Sequence, residues 1–208
     1  SLQWAMLEPN VAKIGARAFY NCAALEGVFI QTEDSITIGE KAFDKCPSLY
    51  FVASNAKKGD VGDYVIDICN KSSNGINLTQ LFVTNQCEKS SYSEQWLHFD
   101  DSFGHTLAVY DIGSTKMLYA LDADGIPDIA IRSGKTLTGE ITLPKETLEL
   151  YSQAMFGTEG AYTLNWDTLP RLQYIDDYVF ADTGLEGSVT TGAISFGKHA
   201  FCDSNITG

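Results

Sequence analysis

The run Asp122-Ala123-Asp124-Gly125-Ile126-Pro127-Asp128 sets three carboxylates around a glycine. Alternating acids can wrap oxygen ligands around Ca2+, and a central Gly permits the sharp turn such a loop needs. Asp122, Asp124 and Asp128 are therefore the candidate metal ligands, and Ca2+ the candidate cofactor. Asp, Gly and Pro are equally the residues of an ordinary turn between two strands. Both readings stand for this run, and the turn is the simpler of the two.

His98, Asp100, Asp101 and His105 form the one cluster that mixes imidazole and carboxylate, as acid–base or metal chemistry would require. The run around them also alternates like a strand and its turn, and no nucleophile or oxyanion donor is fixed nearby. The third histidine, His199, stands elsewhere, in a repeat. There is no G-x-S-x-G, P-loop or H-E-x-x-H pattern, so the expectation is a chain without catalysis. Tyr50, Tyr92, Trp96 and Tyr110 are candidates for an aromatic strip that binds glycan, with Tyr92, Trp96 and Tyr110 chosen as binding residues. Cys69 and Cys87 can be joined as a disulfide in an oxidising compartment or remain free thiols. Asn70, Asn77 and Asn205 each begin an N-x-S/T acceptor pattern.

The totals exclude whole classes of partner. With 27 acids against 14 bases, the net charge is −13, and no basic run exceeds Lys57-Lys58. Nucleic-acid binding rests on clustered Lys and Arg that neutralise phosphates, so it is set aside. No apolar run approaches the ~20 residues of a membrane-spanning helix, so no membrane insertion is expected within this chain. Ser1 to Asn10 has neither the basic start nor the apolar stretch of a secretion signal.

What must position these groups is a repeat. Ile14-Gly15-x-x-Ala18-Phe19-x-x-Cys22-x-x-Leu25 returns as Ile38-Gly39-x-x-Ala42-Phe43-x-x-Cys46-x-x-Leu49, a constant shift of 24 residues (38 − 14). Looser copies follow as Ile175-Asp176-x-x-Val179-Phe180-x-x-Thr183 and Phe196-Gly197-x-x-Ala200-Phe201-x-x-Ser204. A degenerate one surrounds Tyr151, Met155 and Phe156. A unit this short cannot bury its own apolar face, so copies must stack and share a core. Phe19, Phe43, Phe180 and Phe201 are then expected to form an aromatic ladder. Cys22 and Cys46 would be small buried rungs, a slot that Thr183 and Ser204 fill at similar volume. Leu25 to Ile30 and Leu49 to Ser54 read as short parallel strands.

At these residues the sequence resembles the BspA-like leucine-rich repeat family. Asp176 departs from the family's Gly, and the later copies lack its Cys. The resemblance implies an α/β-type leucine-rich-repeat solenoid, with short parallel strands and short helical or 3-10 turns. It also implies an extracellular or cell-surface scaffold that binds a host or other cell-surface protein partner and carries no catalytic residues. The chain opens near a repeat turn and stops inside a repeat at Gly208. Since solenoids need polar caps, a fragment, or a homodimer through the solenoid ends, is expected.

Between the repeats the pattern fades. We divide the chain into N-terminal repeats over 1–56, a β-rich insertion or heavily degenerate repeats over 57–135, and C-terminal repeats over 136–208. The insertion is the preferred reading, with hairpins pairing 64–69 with 78–84 and 106–110 with 116–121. Insertions into solenoids often lie on the binding face. A calcium-dependent or glycan-binding module centred on 57–135 is therefore the alternative function.

Overall fold

Two-residue and four-residue strands, each followed by a tight turn, return at the spacing of the sequence repeat. The computed structural model describes residues 2–32, 37–39, 41–49, 51–54, 81–84, 98–100, 105–193 and 195–207. The chain divides into two units, Ser1–Gly104 and His105–Gly208.

The first unit holds β1 (Trp4–Leu7), β2 (Lys13–Ile14), β3 (Gly27–Ile30), β4 (Thr37–Ile38), β5 (Phe51–Ser54), β6 (Leu81–Thr84) and β7 (His98–Asp100). One parallel sheet runs β1-β3-β5-β6-β7, and β2 pairs with β4 in a second. Register follows the repeat: Gly27 opposes Phe51 and Ile14 opposes Ile38, each a shift of 24 residues. Ile14, Leu25, Val28, Ile30, Ala42, Phe43, Cys46 and Leu49 form the core. The Phe19 and Phe43 rings stack with centroids 5.1 Å apart and planes at 9°.

The second unit begins with an antiparallel meander, β8 (Thr106–Asp111), β9 (Lys116–Leu121) and β10 (Pro127–Ser133). Then come β11 (Gly139–Ile141), β12 (Glu149–Leu150), β13 (Tyr162–Leu164), β14 (Tyr174–Ile175), β15 (Glu186–Gly187), β16 (Ser195–Phe196) and β17 (Asn205–Ile206). The main sheet runs β16-β14-β12-β10-β9-β8, parallel from β10 to β16; β11 pairs with β13 and β15 with β17. Phe180, fully buried, stacks on Phe201 at 5.2 Å and meets Trp166 edge-on at 5.8 Å. The expected ladder is thus two stacked pairs, one in each unit.

Backbone rungs join consecutive turns. Phe19 N–H donates to Ala42 O at 2.8 Å, Met155 N–H to Val179 O at 3.1 Å and Phe180 N–H to Ala200 O at 2.7 Å. These rungs explain why the expected helical turns are missing. Arg17 and Asn21, Lys41 and Lys45, Tyr178 and Asp182, His199 and Asp203 all have positive φ. A left-handed residue every fourth position stops a right-handed helix from propagating. The one helical element among the described residues is a single 3-10 turn at Trp166–Thr168.

The described strands do not show an insertion over 57–135 as a whole; the antiparallel β8–β10 is the part of that span that departs from the repeat. β6 lies within that span, yet it pairs in parallel with β5, as a further repeat would; β7 then pairs in parallel with β6. Degenerate repeats, the other reading, account for both. The second expected hairpin is present as β8 and β9. The first pairs a segment, 64–69, that lies outside the described residues.

Candidate functional site

Strand alternation sorts the second unit's sheet into an inward and an outward row. Ala130, Leu150 and Ile175 are opposed across β10, β12 and β14 and buried at 0%, 0% and 1% exposure. The residues just before them, Ile129, Glu149 and Tyr174, and then Ser195 on β16, form the outward row, spaced by about 4.8 Å as parallel strands are. Tyr174 and Ser195 are exposed and Glu149 is half-buried.

Acidic side chains crowd this face. The side chains of Glu149 and Asp176 share a hydrogen bond, and Asp128 is close enough to raise the cost of charging Glu149. Partial burial, then the Asp176 charge and the shared hydrogen bond, then Asp128, push the Glu149 carboxyl up to about 7. Burial raises Asp128 as well, helped by the Asp122 charge and opposed by His105 and Arg171. Asp176 is raised by burial, against the hydrogen bond from Glu149. Near neutral pH the pair therefore holds a proton between two coils. Such a surface favours a cationic ligand group and disfavours an anion.

Asp122 and Asp124 lie in the turn joining β9 to β10. Asp122 Oδ1 accepts the N–H groups of Asp124 and Ile126, each at 2.9 Å, and Asp122 N–H donates to Ile126 O at 2.8 Å. Gly125 takes the positive φ of 77° that closes the turn. Among the described residues no group of three or more His, Cys, Asp or Glu side chains is placed to hold a metal ion. Asp124 is exposed, whereas Asp128 belongs to the sheet-face cluster.

The other candidates scatter. Tyr110 is half-buried and packs edge-on against Tyr119 at 5.4 Å. Tyr50, Tyr92, Trp96, Asp101, Cys69 and Cys87 lie outside the described residues, and His98 and Asp100 are described only as backbone of β7. His199 stacks on Tyr178 at the far end of the unit. Cys46 is buried, with its thiol on Phe19 O at 3.0 Å, while Cys22 is half-buried. Thr183 and Ser204, in the same slot, donate to Phe180 O and Phe201 O at 3.0 and 2.7 Å. The slot thus selects a small donor, not volume alone. Glu149 and Asp176 are not legible as a pair in the sequence because they sit 27 residues apart, and only coil stacking joins them.

Within each unit, coils stacked through parallel strands over a core of their own define a repeat solenoid. The family model for the BspA type leucine rich repeat region matches residues 1–93 and 132–207 in 6 copies. The chain belongs to that family. The first matched segment runs well past residue 57, in agreement with the parallel pairing of β6. No curated protein and no solved structure matches the chain. No helix among the described residues is long and apolar enough to cross a membrane.

Proposed function

We propose that this chain is a non-catalytic scaffold at the cell surface or outside the cell, which recognises a protein partner through the sheet face of its repeats. The observation that supports this most is the outward row of the second unit. There a short ladder of two-residue strands presents Glu149, Tyr174, Asp176 and Asp128 on a rigid frame. An exposed Tyr beside carboxylates offers an aromatic anchor and a polar surround, the composition that interfaces concentrate at their centres and rims. The acidity of the face fits a partner surface rich in Lys and Arg.

The test is surface binding of the purified chain to an array of extracellular proteins, beside Tyr174→Ala and Glu149→Lys. A partner whose affinity falls about tenfold or more with either variant supports the reading, as loss of a buried anchor does. Partners that bind all three proteins alike would place the interface elsewhere, and no binder at all would count against a recognition role.

A further inference from the structure

Cys22 and Cys46 fill the same slot of two adjacent coils, 24 residues apart. Register is fixed on both sides of them. Asn21 N–H donates to Asp44 O at 3.0 Å just before the pair, and Gly27 opposes Phe51 just after it. The turn between is the same in each coil, since Leu25 N–H donates to Cys22 O at 3.0 Å and Leu49 N–H to Cys46 O at 3.1 Å. Phe19 and Phe43, three residues upstream, stack at 5.1 Å. The Cα atoms of the two cysteines are therefore one coil rise apart, about 4.8 Å. That lies inside the range of roughly 4.4–6.8 Å that a disulfide spans.

Side-chain direction agrees. In the second unit the donors in this slot turn back on their own coil, Thr183 Oγ1 to Phe180 O at 3.0 Å and Ser204 Oγ to Phe201 O at 2.7 Å. Cys46 does not follow them. Its thiol crosses to the preceding coil and donates to Phe19 O at 3.0 Å, and its contact in its own coil, with Asp44 O, is longer at 3.8 Å. Phe19 O is the carbonyl that the Thr183 pattern assigns to the Cys22 slot, and Cys22 N–H already donates to it at 3.3 Å. The Cys46 sulfur thus lies against Cys22. Burial raises the Cys46 thiol, the Cys22 N–H lowers it, and the charge of Cys22 raises it again. Both the backbone and the side chain of Cys22 are within its electrostatic reach.

We propose that Cys22 and Cys46 form a redox latch, which a low-molecular-weight disulfide oxidises to a covalent bond between the two coils. Both are free thiols. Cys46 is 0% exposed within the core of the first unit, so it reacts second. The Cys22 thiolate attacks one sulfur of the reagent, breaks its S–S bond and releases one reagent thiolate. The Cys46 thiolate then attacks the Cys22 sulfur, forms the Cys22–Cys46 bond and expels the second reagent thiolate. Two cysteine thiols are oxidised, the reagent disulfide is reduced to two thiols, and the two cysteine protons pass to them. The bond closes a loop of one whole repeat, which restricts the unfolded chain and stabilises the stack of these coils. Thr183 and Ser204, in the same slot of the second unit, cannot be joined in this way. The latch needs an oxidising disulfide and is independent of the sheet-face reading.

Peptide mapping of the 208-residue chain tests this, after incubation of the folded protein with oxidised glutathione. Remaining thiols are alkylated in denaturant, and trypsin then cuts after Arg17, Lys41 and Lys45, which separates the two cysteines. The peptide that begins at Ala18 is expected to be joined to the one that begins at Cys46, and reduction should part them. The thermal midpoint of the oxidised protein should lie a few degrees above that of the reduced protein. Cys22→Ser, which keeps a small donor in the slot, should lose that shift. Should Cys22→Ser fail to fold, the joined peptides of the parent still decide. Cys22 and Cys46 both alkylated, a glutathione adduct that goes no further, or bonds from either to Cys69, Cys87 or Cys202 instead overturns the proposal. A joined pair with no gain in midpoint overturns it too, because the bond then does not hold the coils together.

Discussion

Glu149 and Asp176, on neighbouring coils of the second unit, share a hydrogen bond although both are carboxyl groups. Parallel stacking of β12 on β14 sets them there, and partial burial makes two full charges costly. The folded chain therefore keeps a proton that the unfolded chain releases. Between the ordinary Glu value of 4.5 and about 7, rising pH removes stability, because the native state binds more protons than the unfolded state. Asp128 and Asp176 are raised as well and act in the same direction. The thermal midpoint of the second unit is expected to fall by a few degrees from about pH 5 to about pH 8. Glu149→Gln should flatten that slope, with a gain of about 1 kcal/mol or less at the higher pH once solvent screening is allowed for. Calorimetry across pH checks this; a midpoint that rises steadily with pH, unchanged by the substitution, would show that the two carboxyls do not interact.

Phe180 is the central ring of the second unit, between Trp166 and Phe201. Truncation to Ala leaves a cavity in a fully buried site and is expected to cost about 3–5 kcal/mol. Phe201→Ala should cost clearly less, since that ring is only half-buried. Chemical denaturation of both variants gives the order, and equal costs would mean that the stack does not carry the core.

Two glycines separate contact from conformation. A Cβ on Gly184 would lie 1.8 Å from the carbonyl oxygen of Gly160, a backbone atom of the adjacent coil, with no flexible side chain to give way. Gly184→Ala is therefore expected to prevent the folded second unit from accumulating. At Gly125 a Cβ meets nothing within 4 Å, and the penalty comes from the positive φ alone. Gly125→Ala should cost about 1–3 kcal/mol and still fold. Circular dichroism and expression of folded protein compare them, and a well-folded Gly184→Ala protein would mean that the coils are spaced more widely than the rungs at Tyr162 and Gly157 imply.

The repeat was legible because stacking writes itself into spacing. Ile14 and Ile38, Ala18 and Ala42, Phe19 and Phe43 keep one offset, and the strands and the stacked rings follow from it. The turns were not legible. Nothing in Arg17, Lys41, Tyr178 or His199 as residue types announces a left-handed backbone, which the inter-coil hydrogen bonds impose. The sequence around 81–84 hid its repeat for a related reason: a parallel strand needs only a short apolar run, and Leu81 to Thr84 reads equally well as half of a hairpin. The sheet-face acids are not legible in the sequence because Asp128, Glu149 and Asp176 meet through tertiary stacking, whereas Asp122 and Asp124 stand out by proximity in sequence.

The β9–β10 turn makes that contrast testable. Asp122 caps two backbone N–H groups, so Asp122→Ala should cost about 1–2 kcal/mol, and Asp122→Asn, which keeps an acceptor oxygen, much less. Asp124 is exposed and makes only a backbone contact, so Asp124→Ala should be close to neutral. A Ca2+ site built on the same run orders the variants differently, because there Asp124 and Asp128 matter as much as Asp122. Thermal midpoints with millimolar Ca2+ and with a chelator distinguish the two. A turn held by Asp122 alone gives the same midpoint in both. Calcium stabilisation that Asp124→Ala abolishes would instead make the run a metal loop, since a ligand that binds only the folded state must raise its stability.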